Sequence, residues 1–534
     1  MTPGPRPASG PGRGRPVVAR KHPVALVIGL VAALLAALVV APLGPLGATS
    51  ALADAATDAP RDAADASTAL TTAREQVAGV AADPDPGAPG TDLTLTLRDL
   101  WLARGDLDRA GRAAASRLLS RPTAATAPGQ WRYPTGTTPE RVCGADVCVT
   151  RVTTSRHAAT DAWTARTLAL VETTWRRVVD DLGYRAPASG SEAAADGEES
   201  TDGRLDVYLA DLSPQGYYGF CAPEDLVAGE HARATSYCVL DNDMLGLGGR
   251  PNDALAATVA HEFFHAVQFN YDLSEDTWFM EASATWMEEV VFDGVNDNRQ
   301  FLAKGQLGSP TTPLDAESGH YGNWIFVQFL AQRFGAPAVR RVWERLDASR
   351  GAPDEWSLKG VRSVLASRGA AWPAFYSDFT RANLRPGRHY REGGAYRSAP
   401  VTDRLRLGRA QRTASRAARL PHLSSRTTQV TVGALPRGRR TLRLEVRATR
   451  ATYARVSVLV HRADGSVRLR RLKLDGAGRA RARFPASSTK VRRLVVLTTH
   501  TAADHRRCGR NSGWACGGDP VGELAVRVTA RLVR

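Results

Sequence analysis

Lysine and methionine are scarce in this sequence, whose 534 residues include five lysines and four methionines. Nearly all of the positive charge is therefore carried by arginine. Because alanine is abundant as well, biased codon usage explains this skew as readily as selection for arginine chemistry does. The number of arginines alone therefore indicates no particular function.

No C-x-x-C motif occurs among the six cysteines, which argues against a zinc site built from thiolates. The cysteines fall instead into three pairs that are close in sequence. Disulfides form and persist in oxidising compartments outside the cytoplasm, and pairing of near neighbours is the simplest arrangement. The predicted disulfides are Cys143–Cys148, Cys221–Cys238 and Cys508–Cys516.

Apart from one N-terminal segment, no part of the chain is apolar over the length that a membrane-spanning helix needs. That segment, residues 24–40, follows Arg15, Arg20 and Lys21 and precedes the small-residue motif A-L-A at 51–53. This order is typical of an export signal. We therefore predict that residues 1–53 are a signal peptide and that the protein is secreted. The alternative is an uncleaved membrane anchor, with the rest of the chain facing outside.

Acidic residues are rare in the last quarter of the chain. Residues 401–534 contain 31 Lys and Arg against 7 Asp and Glu, a net charge of +24, whereas residues 1–400 contain 39 against 47. The residue pattern also changes there, to short β-rich segments separated by glycine, proline and polar turns. These features predict a basic all-β sandwich domain over 401–534. Its charge suits an anionic cell-surface polymer, and no aromatic-interleaved basic motif points to nucleic acid.

The region between the signal and this sandwich divides into two parts. Residues 54–140 contain linkers and, over 92–120, apolar residues at helical spacing. Two interpretations of this part remain open: a pro-segment that covers an active site, and an ordinary helical hairpin. Residues 141–400 alternate strand and helix patterns, which predicts an α+β domain. Its predicted strands are 147–153, 205–209 and 236–240, and its predicted helices are 158–182, 253–270, 278–291, 320–347, 356–368 and 371–383.

The predicted helix 253–270 contains the motif H-E-F-F-H. Since His261 and His265 are four residues apart, they lie on one face of the helix, where both imidazoles can reach a single ion. Glu262 is placed to hold a water molecule and to accept its proton. Neutral imidazole suits zinc, and a catalytic zinc has three protein ligands and an open position. The alternative is a buried helix that contains two histidines by coincidence, but such groups are costly to bury without partners or a metal.

A third ligand is expected on the next predicted helix, which begins W-F-M-E-A-S-A-T-W-M-E-E. Glu281 lies there, on a helix that can return antiparallel to the first and present its carboxylate to the same ion. Glu288, seven residues further, shares the face of Glu281 and either supports the site or is a solvated charge. The weaker candidates, in the turn or off that face, are Glu275, Asp276 and Glu289.

These two motifs resemble those of the gluzincin-type zinc metallopeptidases, in which H-E-x-x-H is followed by a helix of the form W-x-x-E-A/G. The sequence resembles more closely a family of secreted bacterial metallopeptidases. The resemblance covers about residues 92–400 and includes D-G-R-L-D-V-Y-L-A-D-L upstream and H-Y-G-N-W-I-F-V-Q-F-L downstream. It implies a zincin-like fold with the ligands His261, His265 and Glu281, and with Glu262 as general base.

The resemblance also implies two further roles near the metal. Some gluzincins carry an aspartate four residues after the third ligand, where it steadies a histidine. Thr285 stands at that position here, so the partner of the histidine is not assigned by the motif. Gluzincins further supply a tyrosine or histidine that donates to the developing oxyanion. His320 and Tyr321 are the candidates, Tyr321 being preferred, and the alternative is that both cap a helix.

Together these features predict a secreted, zinc-dependent endopeptidase that hydrolyses peptide bonds in proteins or peptides. The expected edge strand of its cleft is 236–240, where Ser236, Tyr237 and Val239 would bind an extended substrate by β-strand addition. The competing hypothesis is a surface-binding protein that acts through its basic β domain and carries a degenerate zincin domain. Calcium sites are a lesser possibility, because the following residues are more often found in turns: Asp241, Asn242, Asp243, Asp293, Asn296 and Asp297.

Overall fold

The computed structural model describes residues 63–79, 93–190, 202–433, 435, 441–486, 490–509 and 512–533. The predicted signal at 1–53 lies outside these residues. All of the described residues belong to one compact unit. Among these residues, no helix is both long enough and apolar enough to cross a membrane.

The described residues form ten α-helices and sixteen β-strands. The helices are α1 (Ala63–Val77), α2 (Leu93–Ala103), α3 (Arg109–Leu118), α4 (Asp161–Trp175), α5 (Pro251–Phe269), α6 (Thr277–Val291), α7 (Trp324–Phe334), α8 (Pro337–Leu346), α9 (Ser357–Ser367) and α10 (Trp372–Ala382). The strands are β1 (Glu140–Cys143), β2 (Val147–Arg151), β3 (Leu205–Ala210), β4 (Gly219–Leu226), β5 (Ala234–Asp241), β6 (Asp403–Leu407), β7 (Thr413–Leu420), β8 (Ser424–Val432), β9 (Thr441–Ala448), β10 (Ala454–Arg462), β11 (Val467–Leu472), β12 (Arg479–Pro485), β13 (Val491–His500), β14 (His505–Arg506), β15 (Asp519–Pro520) and β16 (Leu524–Val533).

The first five strands form one mixed sheet in the order β1-β2-β3-β5-β4. Strands β2, β3 and β5 are parallel, whereas β1 and β4 pair antiparallel at the two edges. Both β3 and β5 are buried along their whole length, as expected for central strands. The prediction that 236–240 is an edge strand was therefore wrong, because β5 is hydrogen-bonded on both sides. The edge strand on that side is β4, for which no strand was predicted.

Helices cover both faces of this sheet. Apolar side chains on one face, including Val207 and Leu240, join a core with α4, α5 and α6. Side chains on the opposite face, including Tyr208 and Phe220, pack against α1, α2 and α3. The segment of uncertain role before residue 140 thus supplies one complete layer of the domain. The structure is mixed α/β in this part, in agreement with the predicted α+β class.

Local sequence signals explain most of the helix boundaries. The side chains of Asp108 and Thr160 cap α3 and α4 by accepting bonds from backbone N–H groups. The helix predicted over 320–347 is in fact divided into α7 and α8. Gly335, at φ +86°, ends α7, and Pro337 opens α8, where its missing N–H costs nothing. The prediction of one continuous helix missed this Gly-x-Pro boundary.

Beyond α10 the chain forms a sandwich of two antiparallel-rich sheets, as predicted for residues 401–534. One sheet has the order β11-β10-β13-β8-β6 and the other has the order β12-β9-β16-β7. Their inner faces enclose a separate apolar core that includes Leu444, Val458 and Val496. Strand β6 alternates buried leucines with exposed arginines, whereas β7 is mostly exposed and contains one buried leucine.

The sandwich and the helical part are joined by a set of buried polar contacts. The carboxylate of Asp315 accepts from His422 Nε2 at 2.7 Å and from His505 Nε2 at 3.0 Å. Backbone groups pair directly as well, Leu314 N–H donating to Leu423 C=O at 3.0 Å. All three predicted disulfides are present, and the Cys508–Cys516 loop belongs to this junction. No cysteine is left free.

Candidate metal centre

Helices α5 and α6 bring His261, His265 and Glu281 together in the interior of the domain. His261 Nε2 lies 3.3 Å from one carboxylate oxygen of Glu281, and His265 Nε2 lies 3.4 Å from the other. The exposed fractions of the three residues are 6%, 0% and 1%, respectively. A potential ligand atom of each lies within 4.8 Å of the others. The structure thus unites the three residues that the sequence predicted.

The two nitrogen–oxygen separations, each to a different oxygen of Glu281, are compatible with zinc ligation. Ligand atoms at zinc–nitrogen and zinc–oxygen distances of about 2.0–2.2 Å are about 3.3–3.5 Å apart when their angle at the metal is tetrahedral. The observed separations of 3.3 and 3.4 Å fall in this range. They exceed the usual length of a strong N–H···O bond to a carboxylate. Two imidazoles and one carboxylate also form a donor set that zinc accepts and that leaves one position open.

Each histidine is oriented by a side chain on its far ring nitrogen. His261 Nδ1 lies 2.9 Å from Glu288 Oε1, and His265 Nδ1 lies 2.7 Å from Gln268 Oε1. The Gln268 amide donates to Met280 C=O and to Ser283 on α6. These contacts leave the Nε2 atoms facing Glu281, as a ligand arrangement requires. Glu288 therefore supports the site, whereas the role of Gln268 was missed, although its i+3 spacing from His265 could have revealed it.

Burial and neighbouring charges have opposing effects on the pKa values of His261 and Glu288. Burial alone would lower the pKa of His261, but its hydrogen bonds to Glu281 and Glu288 outweigh this effect and raise the pKa well above its usual value. Burial raises the pKa of Glu288 to about 7 against the opposing effect of His261. Carboxylates and protons are therefore held close together in the interior of the domain. A divalent cation that bound there would displace the protons.

Glu262 follows His261 on α5 and lines a cavity of about 950 Å³. Its Oε2 atom accepts a hydrogen bond of 2.8 Å from the Thr94 hydroxyl of α2. The same hydroxyl accepts from the Cys221 N–H of β4 at 3.0 Å. Glu288 also lines this cavity, so the predicted base Glu262 and the residue that orients His261 face the same space. Thr94 lies outside the predicted catalytic domain and was not anticipated as a neighbour of Glu262.

Of the two predicted oxyanion donors, Tyr321 is the one that lines this cavity. Its ring stacks on His261 with a centroid distance of 5.4 Å and an interplanar angle of 10°. His320 is buried at 7% exposure and is not among the described residues that line the cavity. Tyr321 begins a short 3-10 turn that leads into α7, and His320 is the cap residue between this turn and the preceding one. Geometry therefore favours Tyr321.

The substrate-binding residues predicted on β5 do not line the cavity. Ser236, Tyr237 and Val239 are 5%, 0% and 0% exposed, because β5 is an interior strand. The residues that do line the cavity come mainly from the loops that precede β4 and α5, from α5 itself and from the segment after α6. They include Tyr217, Tyr218, Gly219, Leu247, Asp253, Asp297 and Phe301.

The predicted calcium candidates have other partners. Asp241 accepts backbone N–H bonds from Leu212, Ser213, Asp243 and Met244, which identifies it as a turn former. The Asn242 amide donates to two backbone carbonyls. Asp293 is paired with Arg391, and Asp297 accepts from Gln300. Asn296 has the left-handed φ of +63° and its amide donates to Gly294 C=O. Asp243 accepts from Leu245 N–H.

Two other acidic clusters in the described residues could be mistaken for metal sites. In the cluster of Asp315, His422 and His505, the nitrogen–oxygen distances of 2.7 and 3.0 Å are hydrogen-bond distances. The cluster of Glu289, Asp293 and Glu392 is neutralised by arginine, since Arg391 contacts Glu289 and Asp293. In the cluster on α5 and α6, by contrast, the nitrogen–oxygen separations of 3.3 and 3.4 Å are longer than such hydrogen bonds.

Comparison with known proteins gives a family match over part of the chain. Residues 239–355 match the model of a family described as "Family of unknown function (DUF6055)". This stretch contains His261, Glu262, His265, Glu281 and Tyr321. No curated protein matches the chain. Among solved structures, the chain is similar to PliG of Aeromonas hydrophila, a periplasmic inhibitor of g-type lysozyme, with 12% identity and a TM-score of 0.15 over 25% of this chain and 100% of that one.

Proposed function

We propose that the protein is a secreted zinc-dependent metallopeptidase. The observation that supports this function best is the convergence of two imidazoles and one carboxylate at one buried point, with Glu262 beside them on the wall of a large cavity. The resemblance to gluzincins supports the same conclusion. The three disulfides suit the oxidising compartment that a secreted protein enters.

The chain supplies the groups that peptide hydrolysis needs. Zinc held by His261, His265 and Glu281 would polarise the scissile carbonyl and lower the pKa of the attacking water. Glu262 accepts the proton of that water and delivers it to the leaving amine. The Tyr321 hydroxyl donates to the oxygen that gains negative charge.

Replacing Glu262 by glutamine tests this function directly. The variant keeps the shape of the side chain and the hydrogen bond to Thr94 but cannot accept a proton. We expect peptide hydrolysis to fall by at least about a hundredfold while bound zinc, measured by elemental analysis, stays at the wild-type amount. A chelator should abolish wild-type activity. Hydrolysis that persists in zinc-loaded Glu262→Gln would falsify the proposed role.

A second activity, polyanion binding, is favoured by an arginine pattern on the C-terminal sandwich. On the outer face of the β12-β9-β16-β7 sheet, two rows of three arginines cross three adjacent strands. Like charges directly opposite one another destabilise a sheet, so an anionic polymer that neutralised them would bind favourably. Glu445 is the acidic residue between the rows, and it accepts from Arg447 and Arg481. The rows are Arg483–Arg443–Arg531 and Arg479–Arg447–Arg527.

Two matched double variants of the full chain distinguish a specific surface from net charge. Arg443→Gln with Arg447→Gln removes the central pair of the rows. Arg404→Gln with Arg406→Gln removes the same charge from exposed positions of β6 in the other sheet. We expect the first variant to elute from a heparin matrix at clearly lower salt than the second. Equal elution of both would show that only total charge matters.

A further inference from the structure

The edge of strand β4, which borders the candidate active site, is occupied by helix α2. The Cys221 N–H points away from β5 and donates to Thr94 Oγ1 at 3.0 Å. Three residues further along β4, the Glu224 C=O accepts from Trp101 Nε1 at 2.6 Å. Thr94 and Trp101 are seven residues apart, two turns of the same helix face. Helix α2 therefore runs along this edge and fills positions where an added peptide strand would bond.

Helix α2 is held there by a buried interface. Leu97 and Leu100 are fully buried against the sheet and the neighbouring helices. The Arg98 guanidinium, 4% exposed, donates to Glu275 C=O, to Thr277 and to Met280 Sδ in the segment that leads into α6. Displacing α2 would leave the Glu275 carbonyl without this donor and would expose the aromatic side of the sheet, at a large cost. In this structure the helix is an integral layer of the domain.

Most of the described residues that line the cavity belong to segments other than α2. Its lining comes from the loop that precedes β4, from Leu247–Arg250 before α5 and from Val295–Phe301 after α6. Helix α2 contributes its first residue, Leu93, at the boundary. Gly219, which begins β4, also lines the cavity, so the free part of the edge lies on the side away from Thr94. A peptide can thus extend past Glu262 on one side and meets α2 on the other.

We propose, on the basis of the proposed metallopeptidase function, that the enzyme is an exopeptidase that cleaves within one or two residues of a chain terminus. The side of the scissile bond that faces Thr94 and Leu93 has room for only a short segment. The opposite side can hold an extended chain of several residues in the cavity of about 950 Å³. Internal cleavage, the function expected from sequence, would require the substrate to extend past α2 as well.

A set of peptides with one sequence tests the proposal on the zinc-loaded full chain. The set contains a linear decapeptide with free ends, its N-acetylated form, its C-amidated form and its head-to-tail cyclic form, with casein as a protein substrate. Products are identified by mass spectrometry over time. We expect stepwise shortening of the linear peptide from one end, and at least about tenfold lower kcat/KM when that end is blocked. The cyclic peptide should remain intact.

The Glu262→Gln variant, tested on the same peptides, separates the possible failures. Cleavage of the cyclic peptide or of internal bonds in casein, lost in Glu262→Gln, would overturn the exopeptidase assignment and leave the metallopeptidase function standing. If the zinc-loaded wild type hydrolyses none of these substrates, both proposals are overturned together. Terminal trimming that is absent in Glu262→Gln supports both.

Discussion

Glu288 is the residue that we expect to influence how tightly the candidate centre binds a metal ion. Its Oε1 atom orients His261, and its side chain lines the cavity beside Glu262. Carboxylates in this position raise the basicity of a ligating histidine and fix its ring. Glu289, the next residue along α6, points elsewhere and contacts Asn298 and Arg391. Adjacent glutamates of the same helix therefore provide a natural comparison.

Glu288→Gln is expected to weaken zinc binding by about 10–100-fold, because the amide retains the shape but loses the charge that polarises His261. Affinity is measured by competition with a chromophoric chelator. Glu289→Gln is the control and should bind zinc as the wild type does. Equal affinities for all three proteins would contradict the role of Glu288.

At the scale of single residues, the metal ligands were predictable and their supports were only partly so. His261, His265 and Glu281 follow from helical spacing, which carries over directly into three dimensions. Thr94 was not predictable, since it lies 168 positions from Glu262 and reaches it only through the packing of separate elements. Sequence periodicity contains no information about such long-range contacts.

At the scale of elements, the predicted helices correspond well to the structure, whereas the order of the strands could not be derived. Strand β4 reads G-F-C-A-P-E-D-L, with glycine, proline and two acidic residues, and lacks the alternation of a half-buried strand. Its partner β5 was recognised as a strand and was mistaken for the edge, because β4 beside it was not recognised. Pairing partners and edges depend on contacts between distant segments, so the position of the substrate cleft required the structure.

The loop between α5 and α6 holds three acidic residues that are buried together. Burial raises the pKa of Asp272 to about 7 and that of Asp276 to about 6, and it raises the pKa of Glu275 well above its usual value. Unfolded carboxyls titrate near pH 4. Between these values the native state binds more protons than the unfolded state. Stability from this loop is therefore greatest at low pH and is lost as the pH rises through about 7.

Asp272→Asn should remove part of this pH dependence, because the amide can accept the bond from Ser274 N–H without charge. We expect the Tm of the variant to exceed that of wild type by a few degrees at about pH 8 and to match it near pH 5. Thermal scans in chelator measure the difference. Asp180→Asn, at an exposed site, is the control, and a constant offset across the pH range would argue against burial as the cause.

At the scale of the whole molecule, the two predicted domains are one structural unit. The change from helices to strands occurs between α10 and β6, near the predicted boundary, but the junction is buried and polar. Burial alone would raise the pKa of Asp315, yet its bonds to His422 and His505 hold that pKa far below its usual range. The composition predicted the change from helices to strands near residue 400, but it contains no information about the buried contacts around Asp315.

Asp315→Asn should weaken the junction, because two buried histidines lose their shared anion. We expect a loss of about 3–5 kcal/mol of stability, as for other broken buried ion pairs. Asp504→Asn is the control, since Asp504 is half exposed and pairs with Arg362 at the surface, and it should cost less than about 1 kcal/mol. Denaturant melts measure both, and similar losses would refute a special role of the junction.

The hydrogen bond from Cys516 N–H to Asp276 has a consequence for the order of assembly. Asp276 immediately precedes α6, the helix that carries Glu281, whereas Cys516 lies near the end of the chain. The ribosome must therefore release nearly the whole polypeptide before this contact can form. The N-terminal end of α6 is thus among the last parts of the structure to be completed.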